Sequence, residues 1–144
     1  MAGRLIARGG TLVLDSEGLV KLAARDERAR ARHRAVIGRG GRIAVSAVTL
    51  AEVLRGARRD AAVHQVLKHI TLREVTEKAA RRAGELLGAS GLSGHRCTID
   101  AIVAATALEE ERPVLLLTSD PADMSKLVEE PECPKEAKVV VINI

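Results

Sequence analysis

Short runs of consecutive aliphatic residues, Leu12–Leu14, Ile43–Val45, Val114–Leu117 and the closing "KVVVINI", alternate along the chain with longer segments of helical spacing. In each run the apolar residues are successive rather than alternate, the pattern of strands buried on both faces. Strands of that kind, separated by helices, build right-handed βαβ units around a parallel sheet. The expected class is therefore α/β, with a central, mostly parallel sheet covered by helices on both faces.

The helical segments carry their own punctuation. A helix is expected from Asp15 or Ser16 in "LDSEGLVKLA", and another after the N-cap Ser46, with Leu50, Val53, Leu54 and Ala57 at helical spacing. A further helix is expected over residues 60–68, then "ITLREV" (70–75) alternates as a strand does. Thr76 caps "TEKAARRAGELLGASG". In "CTIDAIVAATALEEERP" the helix is expected to begin at Thr98, with Pro113 beyond its end, and "PADMSKLVEE" supplies the last one.

With 144 residues the chain suits one domain, 1–144, with residues 1–10 as a flexible N-terminal extension. It contains no Phe, Tyr or Trp, so Leu, Val, Ile and Ala must form the core. The lack also excludes nucleic-acid modules that stack bases on an aromatic platform. A net charge of +4 is compatible with a polyanionic partner and does not single one out. Cys97 and Cys133 have neither zinc-ligand nor disulfide-framework spacing, which fits a reducing cytoplasm. The apolar part of "MAGRLIARGG" is too short for a signal segment, and nowhere do the about 18 successive apolar residues needed to span a membrane occur.

Acids punctuate this apolar framework. Asp15 follows the first strand, Asp120 follows "VLLLTS", and Glu52 and Asp100 lie on helices that start on the same side of the sheet. Ligands of such sheets bind beyond the carboxyl ends of the strands. Each acid also has a local explanation. Asp15 and Asp120 are good N-caps, the latter followed by Pro121; Asp100 and Asp123 suit a first helical turn; Glu52 can pair with Arg55. An unpaired carboxylate in "TIDAIVAATA" is nevertheless costly, because that segment is otherwise apolar.

Together "LVLDSEGLVKLA", "VSAVTLAEVLRG", "IDAIVAATAL" and "LLLTSDPADM" resemble, in order and hydrophobic context, the PIN-domain ribonucleases, and in particular the VapC-type toxins of bacterial toxin–antitoxin pairs. The likeness covers nearly the whole chain; each motif alone is weak. It implies a three-layer α/β/α domain and a metal-dependent endoribonuclease site in which Asp15, Glu52, Asp100 and Asp120 match the acidic quartet. By the same resemblance Ser16 and Thr118 match nearby hydroxyl positions and Asp123 an auxiliary acid, and an antitoxin partner and a homodimer are implied. Two features depart from the pattern: the long stretch before the first strand, and Glu17, which reads as a solvated first-turn residue.

The residue types suit the chemistry. Negative charge builds on the phosphoryl oxygens and leaving group during phosphodiester cleavage, so bare carboxylates require a cation, and oxygen donors without His or Cys select Mg²⁺ or Mn²⁺. Asp15 and Asp100 are expected as principal ligands, Asp120 as a ligand directly or through water, and Glu52 as a ligand or water-orienting base. Arg81, Arg82, His95 and Arg96 are candidate RNA contacts, or simply solvated residues. The basic run from Lys21 to Arg34 reads as a solvated helix face or an antitoxin contact. Two other classes stay open: a PIN nuclease of RNA processing or decay that is no toxin, and a catalytically silent α/β binding module whose acids are caps.

Overall fold

A computed structural model describes residues 9–144, so the expected flexible extension lies outside the described residues except for Gly9 and Gly10. Those two are tied down: the Gly9 N–H donates to the Arg39 carbonyl at 2.9 Å, and the Gly10 carbonyl accepts from the Arg42 N–H at 3.0 Å.

The elements run β1 (Thr11–Leu14), α1 (Ser16–Ala23), α2 (Glu27–Gly38), β2 (Arg42–Ser46), α3 (Ala47–Val53), α4 (Asp60–Leu67), β3 (Thr71–Arg73), α5 (Glu77–Ser90), α6 (Gly94–Leu108), β4 (Val114–Thr118), α7 (Pro121–Leu127) and β5 (Val140–Asn143), with a 3₁₀ turn at Lys135–Ala137. The strands form one sheet in the order β3-β2-β1-β4-β5, and all four pairings are parallel.

Side-chain alternation along the strands divides the core into the two layers that the apolar runs require. Val13, Ala44, Val114 and Leu116 pack with Ala83 and Leu86 of α5, Ala101 and Ala104 of α6 and Met124 of α7. On the opposite face Leu12, Leu14, Ile43, Val45 and Leu117 pack with Leu19 and Leu22 of α1, Val36 of α2 and Val63 of α4. The architecture is a three-layer α/β/α sandwich built without an aromatic ring.

Three boundaries differ from the sequence expectation. The basic run from Lys21 to Arg34 spans two helices: Arg25 adopts φ 62, and Asp26 caps α2 by accepting from the Ala29 N–H at 3.1 Å. Helix α3 stops at Val53, before Leu54 and Ala57, because the Asp60 carboxylate draws the backbone N–H groups of Arg55, Gly56 and Ala57 toward itself at 2.9, 2.7 and 3.3 Å. Helix α6 begins at Gly94 rather than Thr98, and the Thr98 hydroxyl turns back to donate to the Gly94 carbonyl.

The register levels the strand ends. Leu14 lies opposite both Val45 and Leu117, so Asp15, Ser46 and Thr118 follow together at the C-terminal edge. The chain leaves β1 toward β2 on one side and places β4 on the other, so the topological switch point lies between β1 and β4.

Candidate active site

Asp15 stands at that switch point and is 6% exposed. Its Oδ1 accepts from the Gly18 N–H at 2.9 Å, capping α1, while Oδ2 accepts from the Ser119 N–H at 3.1 Å. The capping role read from the sequence is thus present, and it does not consume the residue. The same carboxylate joins the ends of β1 and β4. The first turn of α1 fits so tightly there that a Cβ on Gly18 would lie 3.2 Å from the Leu117 carbonyl and 3.3 Å from the Leu14 side chain.

Asp120 gives the opposite result. It precedes Pro121 in the N-cap position of α7, yet its side chain makes no capping bond. Its backbone N–H donates instead to the Thr118 hydroxyl at 2.9 Å, and Thr118 is fully buried. The capping explanation therefore fails for Asp120, and among the described residues nothing donates a hydrogen bond to its carboxylate. Asp123, in the first turn of α7, accepts from the Cys97 thiol at 3.8 Å.

Asp100 lies seven residues into α6, once the helix is counted from Gly94, which removes the first-turn dipole explanation. Burial pushes its pKa from 3.8 up to about 6, helped by the negative charges of Asp120, Asp15, Glu52 and Asp123 in that order. The structure thus brings the other four acids within reach of Asp100. Glu52, half-buried in the last turn of α3, is also raised, by burial and by Asp15, while the Ser16 hydroxyl beside it works the other way.

Among the described residues none of these five acids forms a salt bridge. The cluster nevertheless stands open: among the described residues no three His, Cys, Asp or Glu side chains close on a single point as metal ligands. Its chemistry fits a divalent cation, since oxygen donors in excess of any nearby positive charge are the donor set of Mg²⁺ and Mn²⁺.

The remaining expected residues divide. Arg96 is one helical turn before Asp100 on the same face of α6, and its charge reaches Cys97 together with those of Asp123, Asp100 and Asp120. His95 is exposed beside it. Arg81 and Arg82 are exposed on α5 and pair with acids of their own helix, Glu77 at 2.7 Å and Glu85 at 3.5 Å. Glu17 is exposed in the first turn of α1, as its solvated reading has it. Cys97 escaped the sequence reading. It is buried, and burial followed by the field of Asp123 raises its thiol pKa. Its signal was the i, i+3 spacing to Asp100, informative only when the helix starts at Gly94.

The sequence model of the PIN domain matches residues 12–128, a span that holds all five acids. The chain belongs to the PIN-domain family. PIN domains are nucleases, and PIN nucleases generally use divalent metal ions. The fold is similar to that of VapBC2 from Rickettsia felis bound to a DNA fragment from its promoter, with a TM-score of 0.62, 14% identity, and coverage of 93% of this chain and 98% of that one. It is also similar to a toxin–antitoxin complex from Klebsiella pneumoniae, with a TM-score of 0.61, 22% identity, and coverage of 79% and 90%. No curated protein matches the sequence. Among the described residues of this PIN domain no helix is long and apolar enough to cross a membrane.

Proposed function

We propose that the protein is a metal-dependent endoribonuclease and the toxin of a toxin–antitoxin pair. The observation that carries the nuclease reading is Asp100, whose carboxyl is pushed up to about 6 by burial and four neighbouring acids and has no salt-bridge partner among the described residues. A cluster so charged is stabilised by a divalent cation and repelled by everything else of its own sign.

Asp15, Asp100, Asp120 and Glu52 are the residues that would hold Mg²⁺ or Mn²⁺. A divalent ion bound there supplies positive charge to the substrate phosphate and lowers the pKa of water. The chain's own contributions follow from its geometry. Asp15 is held immobile by two backbone N–H groups, so the position of its charge is fixed by the two central strands. Thr118 orders the backbone that carries Asp120. Glu52, whose raised pKa makes its carboxylate a stronger base, is suited to take a proton from the attacking water as the water oxygen adds to phosphorus. The ester P–O bond then breaks, and the leaving oxygen takes up a proton.

The toxin reading draws support from the two solved toxin–antitoxin assemblies whose folds this chain shares, and it carries an antitoxin partner and a homodimer as proposals. Purified protein incubated with total RNA and Mg²⁺ or Mn²⁺ should produce discrete fragments, and EDTA should abolish them. Intact RNA under all three conditions would remove the nuclease reading. A short neighbouring gene for a DNA-binding protein is expected for a toxin and not for an RNA-processing enzyme.

A further inference from the structure

Between α1, α2 and α4 lies a cavity of about 520 Å³ whose polar lining is Arg25, Arg30, His33, Arg34, Gln65 and His69. Every charged group in that lining is a cation or a histidine. Leu22, Val66 and Ile70 supply an apolar floor. His33 lies within the fields of His69 and Arg34, which together with burial lower its pKa. Among the described residues Arg34 alone of the three arginines has a carboxylate partner, the exposed Glu27 at 2.8 Å. Arg25 reaches the cavity from the left-handed backbone at φ 62 that separates α1 from α2.

The cavity does not stand alone. A second hollow of about 340 Å³ shares Ala23 and Ala62 with it and is also lined by Glu52, Arg55 and Arg59. Asp60 also lines that hollow, but three backbone N–H groups already engage its carboxylate. The two hollows therefore adjoin, one lined by Glu52, Arg55 and Arg59 and the other by three arginines, and together they outline a path that leads away from the acid cluster.

We propose that this path is a binding track for a single-stranded RNA, with the Arg25–Arg30–Arg34 cavity holding a phosphate and its attached base away from the cleavage point. The proposal rests on the ribonuclease reading above and adds to it where the strand lies. Arginines match phosphate in fork geometry, and a base finds planar partners in guanidinium and imidazole in a chain without Phe, Tyr or Trp. An apolar floor under a cationic rim suits a nucleotide better than a bare anion, and Glu52 in the adjoining hollow gives the strand a direction.

The test is binding of a fluorescent single-stranded RNA to the full chain in EDTA, where cleavage is off, over a range of salt. The double variant Arg25→Asn/Arg30→Gln alters two exposed side chains, and Asn tolerates the left-handed backbone. It should weaken binding about tenfold and flatten the dependence of log K on log salt by about 0.7, the share of one phosphate contact on a single strand. Arg25→Lys/Arg30→Lys should keep most of that slope. An unchanged slope in the double variant overturns the track. So does a poly-glutamate peptide that binds with the same arginine dependence while RNA does not, which would assign the cavity to an acidic protein segment. Arginine-dependent binding of inorganic phosphate without binding of RNA likewise overturns it in favour of a free anion. Cleavage by the unaltered chain with Mg²⁺ is scored separately. Failure of the nuclease reading leaves RNA intact there, whereas failure of the track alone leaves cleavage present and the slope of the double variant equal to that of the parent.

Discussion

The Asp15 carboxylate and the Ser119 backbone N–H, 104 residues apart in sequence, meet at 3.1 Å and bridge the ends of the two central strands. The other oxygen of the same carboxylate caps α1. One side chain therefore fixes the strand ends, the first helix and the position of a negative charge.

Asp15→Asn should consequently lower stability as well as activity. An amide has one acceptor oxygen, so one of the two backbone N–H groups would face an NH₂ instead, in a site only 6% exposed. The expected loss is about 1–2 kcal/mol by urea denaturation. An Asp15→Asn protein as stable as the parent would show that the two bonds contribute nothing net.

Asp100→Asn should do the reverse in metal-free buffer. The folded-state pKa of Asp100 is about 6, above the ordinary aspartate value of 3.8, so the folded chain holds the proton more tightly than the unfolded one. For a carboxyl with that sign, the charged form costs stability, and the cost grows as pH rises from about 4 to 6 and stays at its full value above. In EDTA, the Tm of Asp100→Asn minus that of the parent should be near zero at pH 4 and positive at pH 7. Millimolar Mn²⁺ or Mg²⁺ should raise the parent Tm at pH 7 and narrow or invert the difference, because the ion binds only the folded parent's full set of acids. A difference independent of pH would contradict the raised pKa; no metal shift in the parent would favour the silent binding module.

The strands that position these acids were legible because each is a run of aliphatic residues ended by a polar one, and the register then levels Asp15 with Ser46 and Thr118. The role of each acid was less so. Asp15 and Asp120 look alike in sequence, as acids between a strand and a helix, yet only Asp15 makes a capping bond. The difference depends on contacts made across the sheet. Asp100 was misplaced within its helix because Thr98 has the chemistry of a cap, whereas the true cap, Ser93, makes no side-chain bond. The Cys97–Asp123 contact joins residues 26 apart through the packing of α6 on α7, and no local pattern encodes it.

Outside the acid cluster, Arg73 and Glu110 form a two-bond pair, Nε to Oε2 at 2.7 Å and a terminal nitrogen to Oε1 at 3.0 Å. The Glu110 side chain is 4% exposed and that of Arg73 is 38%. Arg73→Leu should cost about 2–4 kcal/mol, at the low end for a buried pair because Arg73 is partly hydrated. Adding Glu110→Leu should restore much of the loss, since no uncompensated charge is then left inside. Equal stability of the single and double variants would mean that water, rather than Arg73, satisfies Glu110.

The sharpest separation of stability from chemistry falls at Asp120. Had its carboxylate capped α7, Asp120→Ala would cost about 1 kcal/mol and Asp120→Ser almost nothing. The side chain makes no such bond, and its charge helps to raise the pKa of Asp100. Both variants should therefore melt close to the parent in EDTA, within about 0.5 kcal/mol of its stability. Both should also bring Asp100 nearer to ordinary carboxyl behaviour, because the largest of the neighbouring charges on it is gone. Metal-dependent RNA cleavage should fall by at least about 100-fold in each, since neither Ser nor Ala supplies the negative oxygen a divalent ion requires. Thr118→Val offers the complementary measurement: it leaves the Asp120 charge and removes the hydroxyl that accepts from the Asp120 N–H, so cleavage should drop less than in Asp120→Ala while stability drops more. If Asp120→Ala melts lower than the parent while Asp120→Ser both melts and cleaves like it, Asp120 is a helix cap and the site consists of the other acids.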